Sequence, residues 1–335
     1  MANSIRDFLL VFCGILYEAM PFIVLGSVIA GILEELVPQR IIAKLIPKNR
    51  ILAIAIGGWL GLLFPMCECG IITVMRRLLR KGVPLSCCVC YMLAGPIINV
   101  VVMLSTFVAF APMADVTDSS GRRTQIGGLG MMALRIGFGF LVAFGTSLIV
   151  EWQHRKHGDK LLAPLARFGA GKGDEEDNAT TVPRPWSQRL SNISETALHD
   201  FVDVMVFLIL GALLASLARQ VIPANEVEEL SRNKPVFAIG SMMGLAIVLC
   251  LCSEADAFIA ASFVALGPAA KIAFLVLGPM LDFKLYMMYL RVFRPRLIWT
   301  IIVSVVVQVF IYSLLMHFVW ENYREQLSAL GTFGP

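Results

Sequence analysis

The chain has 335 residues, of which 58% are hydrophobic and only 16% charged, and its mean hydropathy is +0.77. A soluble domain carries about 25% charged residues, so these values exclude an ordinary water-soluble protein and place the chain among multi-span membrane proteins. The net charge of +4 does not point to nucleic acid, because the basic residues lie between apolar segments, where they set membrane orientation.

Apolar segments fall at 8–36, 51–75, 83–113, 125–151, 198–222, 235–266, 268–290 and 297–320. The first follows Arg6 and Asp7 and runs past Glu18 to Leu36, which reads as a membrane helix rather than a cleaved leader. Residues 153–195 differ, with His154, Arg155, Lys156, Lys160, the run Asp174 to Asp177, Pro183 and Pro185. They read as a hydrophilic cytoplasmic linker between a first membrane repeat, 1–152, and a second, 196–335.

The two parts resemble each other. Glu18 to Gly26 aligns with Asp203 to Gly211 at an offset of 185, which also pairs Pro38 with Pro223. Gly61, Cys67, Cys69, Gly95, Pro96 and Asn99 then pair with Gly244, Cys250, Cys252, Gly278, Pro279 and Asp282 at an offset of 183. Matched Cys-x-Cys and Gly-Pro at one offset predict an internal duplication.

The basic residues predict the topology. Eight simple crossings would place Arg40, Lys44, Lys48 and Arg50 on the opposite side from Arg76, Arg77, Arg80 and Lys81, against the positive-inside rule. A re-entrant helical hairpin over 51–80, turning at Pro65 to Gly70, puts both groups in the cytoplasm with the linker and with Arg291, Arg294 and Arg296. Glu226, Glu228 and Glu229 then fall outside, and 235–266 becomes a second hairpin turning near Cys250 to Ser253. The expected fold is therefore all-α and polytopic, with two pseudo-symmetric inverted repeats. Each has three full crossings and one hairpin, a recurring carrier plan. Eight simple transmembrane helices are the alternative.

The chemistry centres on Cys67-Glu68-Cys69 and Cys250-Leu251-Cys252. Thiolates are soft ligands suited to Cu(I), Zn(II) and trivalent arsenic, and opposed hairpin tips would gather up to four sulfurs. Against this, cysteine is also a small buried hydrophobe, the better reading for Cys87, Cys88 and Cys90. A charge at mid-bilayer costs on the order of 2.5–3.5 kcal/mol, so Glu68, Glu254, Asp256 and Asp282 are candidate substrate ligands, with Lys284 as their partner. Glu18 and Asp203, matched on the first helix of each repeat, are candidate proton-coupling groups. Asn99 and Asp282 follow each Gly-Pro, where proline frees backbone carbonyls; Asn99 and Lys284 are therefore counted with the carboxylates as candidate substrate-binding residues. No nucleotide-binding or metalloprotease motif is present; no enzyme and no cofactor are expected.

Pro65-x-Cys-x-Cys-Gly70, Arg-Lys-Gly-Val-Pro84 and Leu-Ala-Gly-Pro-Ile-Ile-Asn99 resemble the predicted permease family that includes the ArsP organoarsenical exporters. So do Leu-Cys-Ser-Glu-Ala-Asp-Ala-Phe258 and Gly278-Pro-Met-Leu-Asp-Phe-Lys284. The resemblance spans nearly the whole chain outside the linker and implies export of copper, zinc or methylated trivalent arsenic, with Cys67, Cys69, Cys250 and Cys252 as substrate and metal ligands. Glu68, where relatives often carry a small residue, favours a cation over a neutral organoarsenical. The expectation is thus a secondary permease in a bacterial inner membrane, exporting a soft metal or metalloid and compatible with homo-oligomerisation. A membrane thiol oxidoreductase, a permease for another small substrate and a non-transporting membrane subunit are the rivals.

Overall fold

A computed structural model describes residues 2–36, 47, 49–63, 66–112, 126–157, 186–221, 235–263 and 266–330. Among them lie twelve α-helices and no strand. They are α1 (Ala2–Leu36), α2 (Arg50–Leu63), α3 (Glu68–Arg80), α4 (Leu85–Ala94), α5 (Val100–Phe110), α6 (Gly128–His157), α7 (Trp186–Val221), α8 (Pro235–Leu249), α9 (Ala255–Ser262), α10 (Pro268–Leu277), α11 (Phe283–Val292) and α12 (Pro295–Leu330). Stretches of α1, α6, α7 and α12 are long and apolar enough to cross a bilayer, at 25, 29, 24 and 28 residues. At 1.5 Å per residue each exceeds the roughly 30 Å hydrocarbon core.

α6 runs on to His157 and α7 begins at Trp186, so both ends of the 153–195 segment are helical. The remaining linker, the loops bearing Arg40, Lys44 and Lys48 and Glu226, Glu228 and Glu229, and Pro65, lie outside the described residues.

Helix boundaries reflect local chemistry. α3 ends with Arg77 and Arg80 in its last turn, where cations complement the helix dipole. Gly82 then turns the chain at φ +85°, and the Val83 and Gly82 amides bond the Leu78 and Leu79 carbonyls at 3.1 Å, a Schellman closure that needs glycine's freedom. α4 starts immediately afterwards. α4 and α10 are buried on every side, as helices apolar all round should be. Each stops at a Gly-Pro pair, after which Asn99 Oδ1 accepts from the Val101 amide at 3.0 Å and Asp282 Oδ1 from the Leu285 amide at 2.6 Å. These are N-caps for α5 and α11.

Side-chain contacts fix relative directions. Gly57 lies against Cys87 and Gly61 against Gly95, so α2 runs parallel to α4. α3 turns tightly into α4 with Ile71 against Gly95, so α3 runs back. The clamp at Glu151 joins α2, α4 and α6: it accepts from Arg50, from Ser86 Oγ at 2.9 Å and from Arg155 Nε at 3.2 Å. Arg50 and the α3–α4 turn therefore share one end of the molecule. α6 and α12 are antiparallel, with Thr146 3.1 Å from Ser304 and the Phe138 ring tilted against Tyr312 at 6.2 Å. α1 and α7 form the other long pair, with Gly31 against Ile193 and Asn192 bonding Glu35.

Candidate functional site

Both Cys-x-Cys segments interrupt helices. Cys67 is extended, at φ −71° and ψ 170°, and precedes α3. Cys250 has φ +48°, a left-handed backbone for a non-glycine residue that costs on the order of 1–3 kcal/mol and concentrates at functional sites. All four cysteines are 0–3% exposed and unbridged.

The breaks meet across the two parts of the chain, where α3 packs on α11 and α5 on α9. At the first contact, Lys284 on α11 places Nζ 2.7 Å from Glu68 Oε1 and 3.4 Å from Asp282 Oδ2. Nζ also donates to the Cys250 carbonyl at 3.4 Å. Cys252 and Cys69 lie within electrostatic range of the same ammonium. Glu68, Asp282 and Lys284 are each at most 1% exposed.

At the second contact, Arg135 on α6 donates Nη1 to Thr106 Oγ1 at 2.7 Å and Nη2 to the Ser253 carbonyl at 2.9 Å. Asp256 Oδ2 stands 3.8 Å from Nη2, and Glu254 also lies in its field. Gly278 leaves room for Asp256, since a Cβ there would sit 2.9 Å from Oδ2. Each contact thus joins the two parts through a cation, a carboxylate and a carbonyl released by the second break. Removing one partner of such a buried pair typically costs about 3–5 kcal/mol, because the other charge is left uncompensated.

The structure brings Glu68, Asp282 and the Cys250 carbonyl around the Lys284 ammonium and sets Asp256 by Arg135; Cys69 and Cys252 are buried nearby. Cys67 borders the first group. Asn99 serves as the α5 cap. Glu18 and Asp203 lie on α1 and α7, but their side chains are outside the described residues. Among the described residues, no three His, Cys, Asp or Glu side chains are arranged to hold a metal ion. Sequence reasoning misses Arg135, Thr106 and Ser253. An arginine within the apolar 125–151 segment is the signal that finds them, since a cation at that depth needs partners.

Membrane-length helices around a buried centre of interrupted helices and paired charges define a multi-span transport protein. The chain belongs to the predicted permease (ArsP) family, whose model matches residues 4–318. It is 37% identical to the UPF0718 protein YcgR of Bacillus subtilis over 91% of this chain and 95% of that protein. It is 31% identical, over 94% of this chain and 97% of its counterpart, to a Streptococcus mutans protein provisionally named a two-component membrane permease complex subunit. No solved structure matches.

Proposed function

We infer that this permease is a secondary-active exporter of a soft metal ion or trivalent metalloid, held between two hairpin tips in a bacterial inner membrane. One observation carries the reading: Lys284 ties Glu68, which lies between the cysteines of the first Cys-x-Cys break, to the carbonyl of Cys250 in the second and to Asp282, all buried. Soft sulfur beside carboxylate suits Zn(II) and related cations.

The inverted-repeat plan belongs to the same reading. α4 and α10, and then α5 and α11, start 183 residues apart and carry equivalent caps at Asn99 and Asp282. α3 meets α11 as α9 meets α5. α6 and α12 pack antiparallel, as copies of one element in oppositely oriented repeats would. Arg50 and the α3–α4 turn at one level support a re-entrant α2–α3 hairpin, leaving α1, α4–α5 and α6 as the full crossings of the first repeat. Glu18 and Asp203 are the proposed coupling groups, and the S. mutans relative's name makes a second subunit a partner to seek by co-purification.

Inverted vesicles loaded in turn with Cu(I), Zn(II), arsenite and methylarsenite test the function. Uptake of one of these, lost in Cys67→Ser and Cys252→Ser with insertion unchanged, is expected. Normal uptake by the quadruple Cys67, Cys69, Cys250, Cys252→Ser protein would make the thiols packing residues. Glu18→Gln and Asp203→Asn should bind substrate but lose the pH dependence of export; unaltered dependence in both excludes them. Cysteines at 45 and 80 should label from the cytoplasm alone, and labelling from opposite faces would restore eight simple crossings.

A further inference from the structure

We propose that the end of the molecule shared by the C-terminus of α6 and the N-terminus of α12 binds anionic phospholipid headgroups, with Lys156, Arg294 and Arg296 as the phosphate-binding cations and Trp152 and Trp299 as anchors just beneath them. The inference needs only that these two helices cross the bilayer and is independent of the substrate.

The register of the antiparallel pair sets the level. Thr146 faces Ser304 and Phe138 faces Tyr312. Six residues further along α6 and six back along α12, Trp152 comes level with the turn that holds Trp299. Each tryptophan is 60% exposed. On both helices the cations stand about one turn beyond the tryptophan, Lys156 on α6 and Arg296 and Arg294 at the start of α12. In the other direction both surfaces are apolar and exposed, with Leu148 and Ile149 on α6 and Val303 and Val307 on α12. Apolar surface, then tryptophan, then cations is the order in which a helix meets acyl chains, the interfacial layer and the headgroups.

The charge at this level is of one sign. Lys156, Arg294 and Arg296 are exposed, and none of them pairs with a carboxylate among the described residues. Glu151, the acid at this end of α6, is already engaged by Arg50 and Arg155. Lys156 Nζ lies instead 3.7 Å from the centre of the Trp152 ring, a cation–π contact that keeps the ammonium at the level of the indole. Arg80 and Lys81, at the α3–α4 turn on the same end, add to the positive field.

This pattern selects a lipid over a soluble acidic partner. A soluble acid would meet the cations alone, whereas a phospholipid engages the cations with its phosphate and the apolar surface below with its chains. The positive-inside rule places this end at the cytoplasmic leaflet, where anionic lipids attract each added Lys or Arg.

The test uses purified full-length protein in detergent micelles doped with equal amounts of phosphatidylglycerol and phosphatidylcholine of the same acyl chains, read by native mass spectrometry of the retained lipid. Wild type should retain phosphatidylglycerol at least about tenfold over phosphatidylcholine. The triple variant Lys156→Gln, Arg294→Gln, Arg296→Gln should lose about tenfold or more of that preference, and Lys156→Arg should keep it. In wild type, sodium chloride at about 0.5 M should erode the preference by screening; this measurement stands if the triple variant fails to insert. Equal retention of the two lipids by wild type, a preference unmoved by salt, or a folded triple variant as selective as wild type overturns the proposal. So does displacement of phosphatidylglycerol by inorganic phosphate, which would reveal a simple anion site, or by hexaglutamate, which would reveal a surface for an acidic protein.

Discussion

The same glycine register is used differently in the two parts of the chain. In the first, α2 is locked down: a Cβ on Gly57 would meet the Cys87 carbonyl at 2.6 Å, and one on Gly61 would meet Gly95 Cα and the Ile98 carbonyl at 2.7 Å. On α8, a Cβ added to Gly240 or Gly244, each 183 residues further along, would meet nothing within 4 Å. These two glycines border a cavity of about 430 Å³ walled by Met243, Leu277, Val307 and Phe310. Small residues permit close helix approach in membranes, but they do not impose it. What separates the parts is the Glu151 clamp, which binds α2 through Arg50 and α4 through Ser86.

The largest effect that can break this contrast is expected at Gly61. Gly61→Val forces side-chain carbon into backbone that cannot yield, and overpacking of this kind costs about 1–3 kcal/mol or more; loss of the monodisperse protein on size-exclusion is expected. Gly244→Val should elute as wild type, and equal damage at both positions would abolish the distinction. Glu151→Ala should cost about 1–3 kcal/mol, since the buried Ser86 hydroxyl loses its acceptor, and should increase hydrogen exchange in α2 towards that of α8. The solvent-exposed part of the clamp counts for less: Arg50, whose side chain is 54% exposed, should lower Tm only slightly as Arg50→Ala, within about 1 kcal/mol. The smallest effect has the opposite sign. Gly244→Ala fills open space and removes backbone freedom from the unfolded chain, a gain of about 0.4–1 kcal/mol, read as a modest rise in Tm in detergent.

Much of this arrangement is legible in the residues themselves. Gly95-Pro96 and Gly278-Pro279 end α4 and α10, and Asn99 and Asp282 cap α5 and α11, because proline and short polar side chains act through their immediate neighbours. The Cys-x-Cys segments mark both interruptions for the same reason. Spacing alone does not supply which groups from distant segments meet. It does not show that Lys284 pairs with Glu68 and reaches the Cys250 carbonyl, a meeting set by the packing of α3 against α11. Arg135 is hidden in the sequence because its partners Thr106 and Ser253 come from α5 and from the break before α9, and only the three-dimensional chain brings these together. The helix ends beyond residue 152 and before 196 are masked by charge, which reads as a linker in composition but does not break the helices.

The ion pairs across the two parts also set the order in which the protein can be made. Glu68 is synthesised and must enter the bilayer long before Lys284 leaves the ribosome, and Arg135 likewise precedes Asp256. During that interval the acid on α3 and the base on α6 have no counter-charge from the later segments, and each needs water or insertion machinery to shield it. A nascent chain stalled before α11 therefore displays an unneutralised acid among lipid-length helices, a recognisable mark for membrane quality control. Completion of α11 supplies Lys284 and removes that mark.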